Sequence, residues 1–277
     1  MTLRLLILTS FTAFITLVTC GQNTSRADGT ASDSARVVSE ILPPDGFVRQ
    51  ATDSTSFAAW LRALPLKPPG APLRTYDGRR YPYQKGHYRL IDMDIGDKDL
   101  QQCADAAIRL RAEYLFSRDR LDSISFNFTN GDTAKFIRWA AGYRPIVDGN
   151  RCIWTRSGAP DSSYQSLRNY LDVVFSYAGS YSLKRDLTAL TVEDDISPGD
   201  VFVLGGFPGH AIIVVDVATD DRGRLALLLA QSFMPAQDIH ILVNQHDSRN
   251  SPWFILKKGG RFQSRYWTFE WTDLRRF

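Results

Sequence analysis

Three apolar runs late in the chain, Asp200 to Leu204, His210 to Ala218 and Leu225 to Ser232, constrain its fold more than any other feature. They are separated by Gly-Gly-Phe-Pro-Gly and Asp-Asp-Arg-Gly-Arg, both turn-forming clusters, so each run reads as a strand. Ile239 to Val243, Trp253 to Lys257 and Trp267 to Trp271 continue the same sheet. Ahead of them the pattern is mainly helical. Asp99 to Phe116 places apolar residues at 100, 104, 107, 108, 110, 114 and 115, and Asp97 or Asp99 is the expected N-cap. Shorter helices are expected at Phe57 to Leu64, ended by Pro65, at Lys135 to Ala141 and at Ser163 to Phe175. Tyr88 to Ile95 and Ile124 to Phe128 alternate as strands. Helices first and a strand meander last is the order of an α+β domain.

The charge balance, 33 basic against 30 acidic side chains in 277 residues, gives no basic arm and no expectation of nucleic-acid binding. With 44% hydrophobic residues the chain is no disordered segment, and its length suits one large domain. The N-terminus reads as an address. Arg4 precedes an apolar stretch from Leu5 to Val18, too short to cross a bilayer but of signal-peptide length. Leu17-Val18-Thr19-Cys20 resembles a bacterial lipobox, with Thr19 where Gly, Ala or Ser is usual. That resemblance implies a signal peptide over 1–19, a lipidated Cys20, a flexible tether over 20–37 and one α+β domain over 38–277. The protein would then sit in the bacterial cell envelope, lipid-anchored to a membrane.

Export leaves Cys103 and Cys152 in an oxidising compartment, as one disulfide or as two separate thiols. Thiol catalysis needs a cysteine activated to thiolate, a base within reach and a third group to orient that base. Cys103 falls in the first turn of the strongest helix, where the positive dipole end lowers a thiol pKa. His210 opens a strand directly after Pro208-Gly209, and Gln231 closes the next strand, where it can approach the imidazole. Cys103 is equally compatible with a core thiol on the stripe of Ala107, Leu110 and Tyr114, and His210 with a turn-closing role.

The run Pro198-Gly-Asp-Val-Phe-Val followed by Gly209-His-Ala-Ile-Ile-Val-Val-Asp is similar to the strand pair of NlpC-type and CHAP-type cell-wall cysteine amidases. The resemblance implies a papain-like core over about 97–243, with an added helical layer, and amide hydrolysis through an acyl-enzyme. Cys103 would be the nucleophile, His210 the base and Gln231 the orienting residue. Gln102 stands where those amidases have Asp or Asn, and could help bind the oxyanion, as could Gln101. Gln237 and His240 would line the cleft or replace Gln231. At closer range, Asp99-Leu-Gln-Gln-Cys-Ala-Asp-Ala, Phe126-Asn-Phe-Thr-Asn-Gly and Ala230-Gln-Ser-Phe-Met-Pro-Ala-Gln-Asp-Ile-His resemble a bacterial lipoprotein family defined as a domain of unknown function.

The envelope address makes peptidoglycan stem peptides the expected substrate. The competing expectation is a non-catalytic lipoprotein that binds a peptide, glycan or protein partner. No Cys or His cluster has zinc spacing, so no metal and no cofactor is expected. His87 and His246 read as exposed loop residues, and Trp253, Phe254, Tyr266, Trp267, Phe269 and Trp271 as core. Arg109 and Arg111, inside the main helix, would pair with carboxylates or hold an acidic substrate group.

Overall fold

The structure, a computed structural model, describes residues 34–277. The expected leader, Cys20 and nearly all of the tether lie outside the described residues. Packing begins slightly before the expected boundary: Ala35 is buried, and its carbonyl accepts a 2.5 Å hydrogen bond from Arg89 Nη2.

The architecture is α+β around one nine-stranded sheet whose pairings are all antiparallel. Across it run β2 (His87–Leu90), β11 (His240–Leu242), β10 (Leu225–Gln231), β9 (His210–Thr219), β8 (Val201–Leu204), β15 (Leu274–Arg276) and β7 (Thr188–Ala189). At the far ends, β1 (Val48–Arg49) pairs with β9 and β12 (Trp253–Leu256) with β10. Three hairpins stand apart: β3 (Ser125–Asn127) with β4 (Thr133–Lys135), β5 (Tyr143–Asp148) with β6 (Arg151–Arg156), and β13 (Phe262–Gln263) with β14 (Thr268–Phe269). The helices are α1 (Phe57–Arg62), α2 (Cys103–Ser117), α3 (Phe136–Ala140), α4 (Tyr164–Tyr177) and α5 (Ser180–Asp186).

Both faces of the sheet are covered, which is why its central strands are apolar at nearly every position. From β9, Ala211, Ile213 and Val215 pack toward α2 and α4, while Ile212, Val214 and Val217 join Phe202, Phe254, Phe262 and Phe269 on the other side. The alternation slips once. Leu228 faces Asp216 and Leu229 faces Val214, so Val215 is an extra residue and β9 bulges there.

Two expectations are corrected, and one open alternative is decided. Helix α2 starts at Cys103 rather than Asp99, and Gln102 takes the N-cap position. Asp99 is occupied elsewhere, its Oδ1 accepting from Ala236 N at 2.6 Å and from Gln102 Nε2 at 3.2 Å. The strand expected over Tyr88 to Ile95 spans only His87–Leu90. Cys103 and Cys152 are free thiols, Cys152 lying on β6, so no disulfide joins them.

The bulge places a carboxylate inside the fold. Asp216 is fully buried, held by Arg49 Nε at 2.5 Å and Arg62 Nε at 2.6 Å, and its Oδ1 accepts from Val217 N at 2.8 Å. Removing the negative charge leaves two part-buried guanidinium groups without their counter-ion. We expect Asp216→Asn to lower unfolding free energy by about 2–3 kcal/mol, discounted from a fully buried pair because both arginines keep some solvent. Urea denaturation of the variant against the parent measures it.

Candidate functional site

His210, Gln231 and His240 converge because their strands are neighbours. Gln231 ends β10 and is in direct register with His240 at the start of β11, and His210 opens β9 on the other side of β10. His240 Nδ1 lies 2.9 Å from the Asp238 carbonyl oxygen, which can only accept, so Nδ1 carries the proton. Burial lowers the His240 pKa to about 4, so the ring is neutral at ordinary pH and Nε2 is a lone pair. The Gln231 amide nitrogen, 3.4 Å away, donates to it. That fixes the Gln231 oxygen toward His210, where it accepts from Nε2 at 2.7 Å. Burial lowers the His210 pKa to about 4 as well, so this ring too is neutral. Its Nδ1 therefore holds a free electron pair and makes no hydrogen bond among the described residues. The series from Asp238 to His210 sets one tautomer after another and ends on a base.

Aromatic rings seal the outer side of that relay. Trp267 stacks on the His210 imidazole, with ring centres 5.5 Å apart and planes 10° apart, and Phe233 approaches edge-on at 5.3 Å. Screening the His210–Gln231 bond from water strengthens it and keeps the imidazole pKa low.

Cys103 is the first residue of α2 and partly exposed. Burial pushes its thiol pKa up, and the charge of Asp105 adds to the rise, against the N–H groups of Ala211, Ala104 and Cys103 itself. The helix start alone led to an expectation of a lowered pKa; desolvation outweighs it here, and the resting group is the thiol. The Ala211 N–H that faces the thiol belongs to the residue directly after His210, so nucleophile and base candidates both adjoin the start of β9. No hydrogen bond joins Cys103 to the His210 ring. Asp105, two residues on, has its carboxyl raised well above the usual range by burial, with Oδ2 accepting from Gln102 N at 3.0 Å.

The remaining candidates divide. Gln237 stands in the wall of the cleft with His210 and His240 and is 1% exposed. The Gln102 side chain is turned away onto Asp99. Gln101 is the freer amide: its oxygen accepts from Arg109 Nη1 at 2.6 Å, while its buried Nε2 has no partner. Arg109 is fully buried and paired with Glu113 at 2.7 Å and Asp94 at 3.1 Å, so it is structural. His87 is no loop residue; it sits on β2, half-buried, with its ring centre 6.3 Å from that of His240.

Sequence reasoning missed Tyr81, Tyr83, Phe233 and Arg265, which line the cleft from loops. It also took Tyr266 and Trp267 for core. Tyr266 is 59% exposed, and both belong to the cleft wall. Loop aromatics carry no periodic signal, so nothing in the pattern marks them. Among the described residues no group of three or more His, Cys, Asp or Glu side chains could hold a metal ion. No described helix is long and apolar enough to cross a membrane.

The fold and site thus define an α+β protein in which strand ends bring two neutral histidines and a glutamine together, with a thiol as the first residue of helix α2. The chain belongs to the family described as Domain of unknown function (4846), which it matches over residues 37–276. No curated protein and no solved structure matches it.

The two depressed histidine pKa values carry a stability consequence. As pH falls below 6.5 the unfolded chain binds protons that the folded chain refuses until about pH 4. Stability from these groups is therefore complete above 6.5 and is lost progressively toward about 4. Thermal unfolding across that range should show the fall, and His240→Gln should flatten it. In NMR titrations Trp267→Ala should move the His210 pKa upward toward 6.5, by wetting the ring.

Proposed function

We propose that this protein is a thiol-dependent amide hydrolase of papain-like arrangement, working through an acyl-enzyme on Cys103. The observation that carries the reading is the relay that leaves His210 with a free electron pair at Nδ1, one residue from the N–H that faces the Cys103 thiol. Because thiol and imidazole are both neutral at rest, proton transfer accompanies attack. His210 takes the thiol proton as the Cys103 Sγ–carbon bond forms on the carbonyl. The oxyanion draws on the Cys103 N–H at the helix start and on the unpaired Gln101 amide nitrogen. Collapse breaks the carbon–nitrogen bond, and His210 returns the proton to the leaving amine. Water, deprotonated by the same ring, then splits the thioester to free acid and thiol.

The N-terminal pattern supports an exported lipoprotein acylated at Cys20, and hence an envelope amide such as a peptidoglycan stem peptide as substrate. A second reading has one specific observation in its favour. The cleft walled by His210 and His240 does not include Cys103, as a non-catalytic envelope lipoprotein that binds a peptide, glycan or protein partner would allow.

Incubation with peptidoglycan stem-peptide fragments separates the two. Hydrolysis should disappear in Cys103→Ala and fall by about 10²–10⁴ in His210→Ala, the range for losing a general base. The acid limb of kcat/KM should lie near pH 4, because His210 must be unprotonated to act. Unaltered hydrolysis in Cys103→Ala, or none by the parent, sinks the hydrolase and leaves the binding protein. Metabolic labelling with a palmitate analogue should mark the parent and not Cys20→Ala.

A further inference from the structure

The cleft beside His210 has a charge pattern that the hydrolase reading does not require. Its enclosed part is about 50 Å³, and no carboxylate lines it. Both histidines in its wall are neutral at ordinary pH, so its one fixed charge is Arg265. The Arg265 guanidinium carbon sits 3.6 Å from the centre of the Tyr83 ring and 5.0 Å from that of Tyr266, and it hydrogen-bonds the Tyr266 side chain. It has no ion pair among the described residues, unlike Arg49, Arg62, Arg109 and Arg276. Stacking on a ring face holds a guanidinium by its plane and leaves its edge N–H groups directed outward, the geometry that receives a carboxylate.

A second group in the same cleft is unspent. Gln237 is 1% exposed and its side-chain amide makes no hydrogen bond among the described residues, with Oε1 buried and unpartnered. Leaving a buried amide unpaired carries its desolvation cost, so a site that keeps one gains when a ligand amide meets it. Trp267 Nε1, which is also buried and without a partner, adds a donor on the same wall.

We propose that this cleft binds a peptidic ligand with a free carboxylate, the carboxylate on Arg265 and the adjoining amide on Gln237. This deepens the hydrolase reading by naming its substrate class, an amide next to an anionic terminus, and it excludes cationic ligands. The binding itself does not need Cys103, which keeps the two readings separable.

The full chain carrying Cys103→Ala is titrated with N-acetyl-dialanine and with its C-terminal amide, following tryptophan fluorescence. The acid should bind about tenfold or more tighter than the amide, a preference that shrinks severalfold at high salt. Arg265→Gln should bring the acid to the affinity of the amide, Arg265→Lys should keep part of the preference, and Gln237→Ala should weaken both ligands alike. Equal affinity of acid and amide for the parent overturns the assignment, as does a preference that survives Arg265→Gln. So does the absence of any binding up to about 10 mM. Loss of turnover with the acid preference intact would remove the hydrolase alone.

Discussion

A sheet covered on both faces has no solvated side along its length, so polar side chains are affordable only where strands begin and end. β9, β10 and β11 are buried almost throughout, and their polar residues His210, Gln231 and His240 stand at the termini nearest one another. Antiparallel pairing puts these termini on one edge, with Gln231 opposite His240. The clustering of imidazole and amide groups is therefore a product of sheet burial together with strand length. Buried Asp216 is the one exception along β9, and it is stabilised by two arginines from α1 and β1 at the bulge.

Within that cluster, geometry decides protonation. A carbonyl can only accept, and that single fact at Asp238 propagates through three side chains to settle which nitrogen of His210 is free. Burial supplies the other half, because it keeps both rings uncharged and so prevents the relay from reversing. The thiol is governed by the same competition. At the start of α2 the backbone N–H groups favour the thiolate, and desolvation opposes them and prevails.

Most of the fold was legible from pattern alone. The strands at 201–204, 210–219 and 225–231 match the three apolar runs to within a residue or so, since turn clusters bound them on each side. Helix α4 follows its N-cap Ser163, whose hydroxyl accepts from Ser166 N. The start of α2 was misplaced because Asp99 is a good capping residue in isolation, whereas in the fold its carboxylate binds the loop at Ala236. The hairpin over 143–156 pairs only with itself and keeps Ile146 and Ile153 exposed, so it has no clean buried face for a pattern to show.

The sequence by itself determined the class of fold, the strand ends that carry His210 and Gln231, and the helix that carries Cys103, because these depend on local periodicity and turn chemistry. It also marked Gln237 and His240 as neighbours of the cleft, their run lying just past the end of β10. Only tertiary structure decided the protonation of the relay, the raised thiol pKa, the freedom of both cysteines and the aromatic wall with Arg265. Each of those depends on desolvation or on contacts between loops distant in the chain, such as Tyr83 with Arg265. Such terms have no period and no motif; they exist only once the sheet has closed around them.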